Sequence, residues 1–250
     1  MNLALVSCEI FYREMCAEVA ASPHRIDVSF LPKGLHDLGA EPMQARLADA
    51  VAAADRPEYD AVLLGYGLCN NGLVGLSARH TRLVVPRAHD CITLFFGSRY
   101  RYRDYFDRHP GAYYQTTGWI ERGETNSDLQ PFSVQHRIGM DRRYEDLVEQ
   151  YGEDNAQFIW ETLCQQPAHY GRMTFIEMGV EPDGSFEIRA REKADEKGWA
   201  FEKVAGDLGL IRRLVRGEWD HDFLVLEPGQ RLAARYDDGV VGAEPASGGS

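Results

Sequence analysis

The sequence predicts an α/β protein on a doubly wound, mostly parallel sheet of flavodoxin- or Rossmann-like type, with two βα halves facing a cleft. Three observations predict it. Short apolar runs alternate with helical stretches through residues 1–116, and that order builds parallel sheets with right-handed crossovers. The run 60–66 is apolar almost throughout, as suits a strand covered on both faces. The βα pattern then resumes after residue 172.

Residues 3–7, Leu-Ala-Leu-Val-Ser, read as a buried strand. Residues 11–21 form a helix ended by Ser22-Pro23. In 26–31, Ile26, Val28 and Phe30 alternate with Asp27 and Ser29, the pattern of a second strand. An Ala-rich helix follows over 43–54, then strands over 60–66 and 82–86. Residues 93–106 read as one helix stopped at His109-Pro110-Gly111, and 112–116 as a Tyr-rich strand near an edge. Residues 117–141 are rich in Gly, Ser, Thr, Asn and Gln and read as a long connection or lid. Beyond it come helices over 141–164 broken at Tyr151-Gly152, a strand over 173–178, a helix over 186–197 and a strand over 199–204. A helix over 208–216 and a strand over 223–226 complete the pattern. The domain reading is thus 1–120 as the first half, 121–140 as the lid, 141–238 as the second half and 239–250 as a disordered tail.

The 250 residues are 44% hydrophobic and 26% charged, ordinary for a globular protein. Lys+Arg total 27 and Asp+Glu 39, a formal net charge of -12, which argues against nucleic acid and anionic membrane as partners. There is no apolar run of membrane-spanning length and no secretory leader pattern. Five cysteines, odd in number and not dense, fit reduced thiols in a cytoplasmic protein.

Three of those cysteines stand where a predicted strand runs out: Cys8, Cys69 and Cys91. In the flavodoxin-like strand order the strands that end near them are neighbours, and ligands bind outside the carboxyl ends of such strands. Three adjacent strands span about 10 Å. A single Zn²⁺ needs sulfurs within about 4 Å of one another, whereas a cubane iron–sulfur cluster takes ligand sulfurs ~6 Å apart. The spacing therefore favours an open-site [4Fe-4S] cluster, with zinc as the alternative. Packing alone explains any one buried cysteine, but explains three at neighbouring strand ends less well. His89-Asp90-Cys91 adds a possible fourth ligand or acid–base group in His89, while Asp90 suits a helix cap. Glu9 is a second acid–base candidate, and Arg87 a candidate anchor for an anionic small-molecule substrate. The segment Gly65-Tyr66-Gly67-Leu68-Cys69-Asn70-Asn71-Gly72 lets backbone approach a ligand and offers Tyr66, Asn70 and Asn71 as substrate contacts. Arg99 to Arg103 interleaves arginine with tyrosine, either a binding face or a solvated helix. Cys16 and Cys164 fall inside predicted helices and read as packing.

Ser7-Cys8-Glu9, the segment 65–72 and Pro86-Arg87-Ala88-His89-Asp90-Cys91 together resemble the domain-of-unknown-function family 1638. Gly206-Asp207-Leu208 and Gly217-Glu218-Trp219-Asp220 are similar to its C-terminal segment. The resemblance implies a place near corrinoid-dependent methyl-transfer systems, hence one-carbon chemistry and a methyl-transfer protein as partner, but no particular activity. Two function classes follow. One is a cluster- or zinc-dependent enzyme doing elimination, dehydration or desulfuration. The other is a non-catalytic metal-binding accessory protein.

Overall fold

The computed structural model describes residues 1–69, 71–123, 144–159 and 170–246. It is an α/β fold with a mixed sheet of mostly parallel strands, compatible with a Rossmann-like framework. Strand β1 (Asn2–Cys8) leads through a 3-10 turn (Glu9–Phe11) into α1 (Tyr12–Ala20). Strand β2 (Arg25–Leu31), a 3-10 segment (Lys33–Leu38) and α2 (Ala40–Ala54) follow, then β3 (Ala61–Gly65) and β4 (Arg82–Pro86). The order β2-β1-β3-β4 places the strands ending near Cys8, Cys69 and Cys91 side by side and parallel, as expected. Leu3, Leu5, Leu63, Leu64, Val84 and Val85 are fully buried, each large side chain worth about 1.5–3 kcal/mol against exposure.

The expected helix over 93–106 is two helices, α3 (Cys91–Phe96) and α4 (Arg99–Arg108). Gly97 ends the first in a left-handed turn at φ 68°, and the Ser98 hydroxyl caps the second. The next strand, β5 (Ala112–Gln115), does not extend the first sheet. It is an edge of a separate parallel sheet, order β5-β6-β7, with β6 (Arg172–Glu177) and β7 (Ala200–Ala205). The place beside β4 is taken by β8 (Phe223–Leu226), running antiparallel. Alternation marks a strand but does not choose its partner, so the sequence shows β5 and its edge place without showing which strand it pairs with.

Two expectations about loops are changed in part. The lid read from residue 117 begins with α5 (Thr117–Gly123), and α6 (Tyr144–Tyr151) and α7 (Glu153–Ile159) stand at the expected break near Gly152. The rest of the lid, residues 124–143, lies outside the described residues. After α8 (Ser185–Glu196), α9 (Gly209–Val215) and β8, the chain forms a hairpin of β9 (Gln230–Ala234) and β10 (Val241–Pro245), so much of the expected disordered tail is strand. Val240 and Val241 are buried there.

That hairpin braces the strand-end loops. The Gly75 N–H donates to the Leu232 carbonyl, and the Leu232 N–H to the Leu76 carbonyl. Asp55, at the end of α2, accepts the N–H groups of His80 and Thr81 at 3.1 and 2.9 Å and pins the far side of the same loop. Arg87 donates from Nε to the Phe223 carbonyl at 3.3 Å and from Nη1 to the carbonyls of Gly239 and Val241. Replacing Arg87 with alanine is therefore expected to free three main-chain acceptors. The cost should be about 2–4 kcal/mol in urea unfolding, with faster protease cleavage near residues 236–240. An unchanged midpoint would show that the hairpin does not depend on this side chain.

Candidate functional site at the ends of β1, β3 and β4

The site starts from three chain turns. Cys8 is the last residue of β1, buried, just before the 3-10 turn. Cys69 follows β3 by four residues, and the loop that carries it runs on alongside the loop after β4. The Leu68 N–H donates to the Ala88 carbonyl at 2.8 Å and the Cys69 N–H to the His89 carbonyl at 3.0 Å. Gly67 makes that approach feasible, since a Cβ there would lie 2.6 Å from the Asp90 carbonyl carbon. Cys69 itself is left-handed at φ 41° and Asn71 at φ 64°, conformations a non-glycine residue holds at a cost. Cys91 opens α3, whose cap is Asp90, as the sequence predicts: the Thr93 N–H donates to Asp90 Oδ1 at 3.1 Å. The Tyr102 hydroxyl donates to Asp90 Oδ2 at 3.1 Å and fixes the carboxylate from the other side.

Cys8, Cys69 and Cys91 line one cavity of about 470 Å³, so the three strand-end thiols share a chamber. All three are free of disulfides. Burial pushes the Cys8 and Cys69 thiols up to about 12, and Cys91 well above its usual range; the neighbouring charge adds to each, that of Glu9 at Cys8, and those of Asp90 and the other thiols at Cys69 and Cys91. N–H donors act the other way. The main-chain N–H groups of Ile10 and Glu9 face Cys8 and those of Gly67 and Cys91 face Cys69, while the Trp119 indole lies beside Cys91. Among the described residues, no three His, Cys, Asp or Glu side chains are gathered as the ligand set of one metal ion.

The other candidates divide. Tyr66 lines the cavity, buried, its hydroxyl beside Cys8 with no nitrogen or oxygen partner; burial and the neighbouring thiols hold it well above its usual range. His89 lines the cavity with an exposed side chain. Arg87 does not line it, because its guanidinium is committed to the C-terminal hairpin. Glu9 does not line it either: its carboxylate accepts the Lys33 N–H at 2.8 Å and so ties the 3-10 turn to the end of β2. Asn71 is exposed, its carbonyl accepting from Gln44, and is not part of the lining. Asn70 and Cys164 lie outside the described residues, while Cys16 sits in α1 away from the cavity. The Arg–Tyr run is not a free basic face. Arg101 donates to the Phe96 carbonyl, Arg103 pairs with Asp238 at 3.1 Å, and Tyr102 turns inward against Phe96.

Sequence reasoning missed the rest of the cavity lining. Lys33, buried in the turn after β2, lies 5.1 Å above the Trp119 ring, and burial lowers its ammonium pKa. Asp37 shares the rim. Tyr113 and Tyr114 come from β5, Trp119 from α5 and Tyr170 from just before β6. The available signal was the aromatic cluster of residues 113–119, which a loop reading discards.

No curated protein and no solved structure matches the chain. The matching family model spans residues 30–215, so it contains Cys69 and Cys91, whereas Cys8 and the segment 217–220 lie beyond its ends. With a match over that length, the chain belongs to DUF1638, a family described as proteins of unknown function.

Proposed function

We propose that the protein is a metal-dependent enzyme on a small molecule, in which Cys8, Cys69 and Cys91 hold a [4Fe-4S] cluster with one position open. The observation that supports it is the meeting of three thiols on one cavity, with main-chain N–H groups set against Cys8 and Cys69. Left to burial and to one another, the thiols stay protonated at neutral pH and make poor nucleophiles. N–H donors stabilise thiolates, the ligand form, and a metal centre is what turns several crowded thiols into thiolates together. Ligands carried on three separate chain turns suit a polynuclear centre better than a single ion.

A cluster with an open iron supplies a Lewis acid for elimination, dehydration or desulfuration. The chain's own residues do the rest. Lys33 sets a positive charge beside Cys8, and His89, exposed on the cavity lining, is the acid–base candidate. Zinc on the three cysteines, with His89 as fourth ligand, is the second reading, favoured by the place of His89 on the same cavity. A metal-carrying accessory role in corrinoid-linked methyl transfer would need the thiols without any turnover. The wider reading is a flavodoxin- or Rossmann-like cytoplasmic protein whose βα halves face each other across the cavity, with no nucleic-acid or membrane partner. Among the described residues no helix is long and apolar enough to cross a membrane. Anaerobic reconstitution with iron and sulfide tests the metal. The expected result is a broad visible absorption with the iron content of one cluster per chain. A colourless protein that retains one tightly held zinc overturns it in favour of the second reading.

A further inference from the structure

The three thiols of the cavity are not equivalent. Cys8 closes β1, its main chain in register with Leu31 of β2, and the residue is only 7% exposed. Cys69 lies in the loop after β3 and Cys91 at the end of the loop after β4; both are half-buried and both line the cavity. Those two loops are tied to each other. The Leu68 and Cys69 N–H groups donate to the carbonyls of Ala88 and His89 at 2.8 and 3.0 Å, so the chain at Cys69 is bonded to a residue two before Cys91. The Cys91 main-chain N–H faces the Cys69 sulfur, and of the other two thiols Cys69 weighs more on Cys91 than Cys8 does.

A disulfide needs Cα atoms roughly 4.4–6.8 Å apart and side chains turned toward each other. Loops joined by main-chain hydrogen bonds reach that separation with small shifts, whereas a bridge from Cys8 pulls on a strand end held in the sheet. Cys69 also keeps a left-handed backbone, φ 41°, which only its surroundings maintain, so its loop is the one with cause to move.

We propose that Cys69 and Cys91 are a reversible redox pair, which a small disulfide oxidises to one Cys69–Cys91 bond while Cys8 stays a thiol. In the first step one cysteine, as thiolate, attacks the small disulfide and breaks its S–S bond; half of the oxidant is now bonded to the protein sulfur and half leaves. The second cysteine then attacks that protein sulfur, the Cys69–Cys91 bond forms and the other half leaves. Two protein sulfurs are oxidised, the two of the oxidant are reduced, and the two cysteine protons end on the two small thiols. Burial keeps the cysteines protonated, so the exchange is slow. The product takes two of three thiolates away from a metal, so the site loads only under reducing conditions. That gating rests on the metal reading above; the bond itself does not.

The test uses the full chain, reduced, stripped of metal and incubated without oxygen with hydroxyethyl disulfide. Alkylation after unfolding and peptide mass mapping locate the bond. Cadmium ion is the metal probe, since it takes thiolate ligands and needs no reductant that would undo the bond. The expected result is one cross-link joining the peptides of Cys69 and Cys91, with Cys8 alkylated. Cadmium should bind the cross-linked protein at least about tenfold more weakly than the reduced protein, and dithiothreitol should restore the difference. A cross-link that includes Cys8, or only mixed disulfides with the small thiol, in protein whose reduced form binds cadmium would overturn the pair and leave the metal reading standing. Reduced protein that binds no cadmium would overturn the metal reading, and the gating with it, and leave the bond standing. Cross-linked protein that binds cadmium as tightly as the reduced form would overturn both the gating and the ligand set.

Discussion

Replacing Cys69 with alanine is expected to abolish the visible absorption of anaerobically reconstituted protein and to remove its bound iron. Cys8→Ala and Cys91→Ala should do the same, because an open-site cluster held by three thiolates keeps no reserve ligand. The loss should exceed the ~10–100-fold drop in metal affinity that accompanies removal of an outer partner of a ligand. Cys8 makes the sharpest case. It lies outside the span matched by the family model, yet it stands on β1 between β2 and β3 and lines the cavity with the other two. Cys16→Ser is the control. That residue sits in α1, does not line the cavity, and its loss should leave the absorption intact. Full iron content in Cys8→Ala, or loss in Cys16→Ser as large as in Cys69→Ala, would show that the ligand set is wrong.

The convergence behind that expectation was legible in the sequence because it depends on local signals and one topological rule. Apolar runs 3–7, 60–66 and 82–86 each end a few residues before a cysteine, and right-handed βα crossovers place those strands together. Asp90 as a helix cap was equally local. What failed was everything decided across long separations. Arg87 reads as an anion anchor, but its carbonyl partners lie 136, 152 and 154 residues away, in and around a hairpin that composition disguises as a tail. Lys33 sits in Pro32-Lys33-Gly34, which reads as an ordinary exposed turn; only the packing of α5 over the Glu9–Phe11 turn buries it beneath Trp119. Strand β5 was recognisable by its residues, while its choice of β6 over the first sheet was not. That choice brings the tyrosines of β5 to the cavity, so the thiol side of the site was readable and the aromatic side was not.

Stability is expected to fall by about 3 kcal/mol between pH 4.5 and pH 7 through one side chain remote from the cavity wall, Glu14, and Glu14→Gln should remove that fall. Glu14 is fully buried in α1, and neither carboxylate oxygen has a hydrogen-bond partner among the described residues. Burial first, then the charges of Glu181 and Glu121, raise its pKa from 4.5 to about 7; Arg13 opposes this, but its guanidinium is bonded to Glu121 at 2.9 and 3.0 Å. The sign follows from linkage. The unfolded carboxyl loses its proton near 4.5 and the folded one near 7, so between those values the folded state binds more protons and stability drops as pH rises. Below that window Glu14 carries no ionisation penalty, and above it the penalty is complete. Glutamine keeps the shape and cannot ionise. Urea unfolding of both proteins across pH 4.5 to 8 should therefore give similar stabilities at the acid end and a gap that opens toward neutrality in favour of Glu14→Gln. Other groups titrate in both proteins and cancel in the difference. A difference that stays constant with pH would mean that this carboxyl is already ionised, or already paired, in the folded protein.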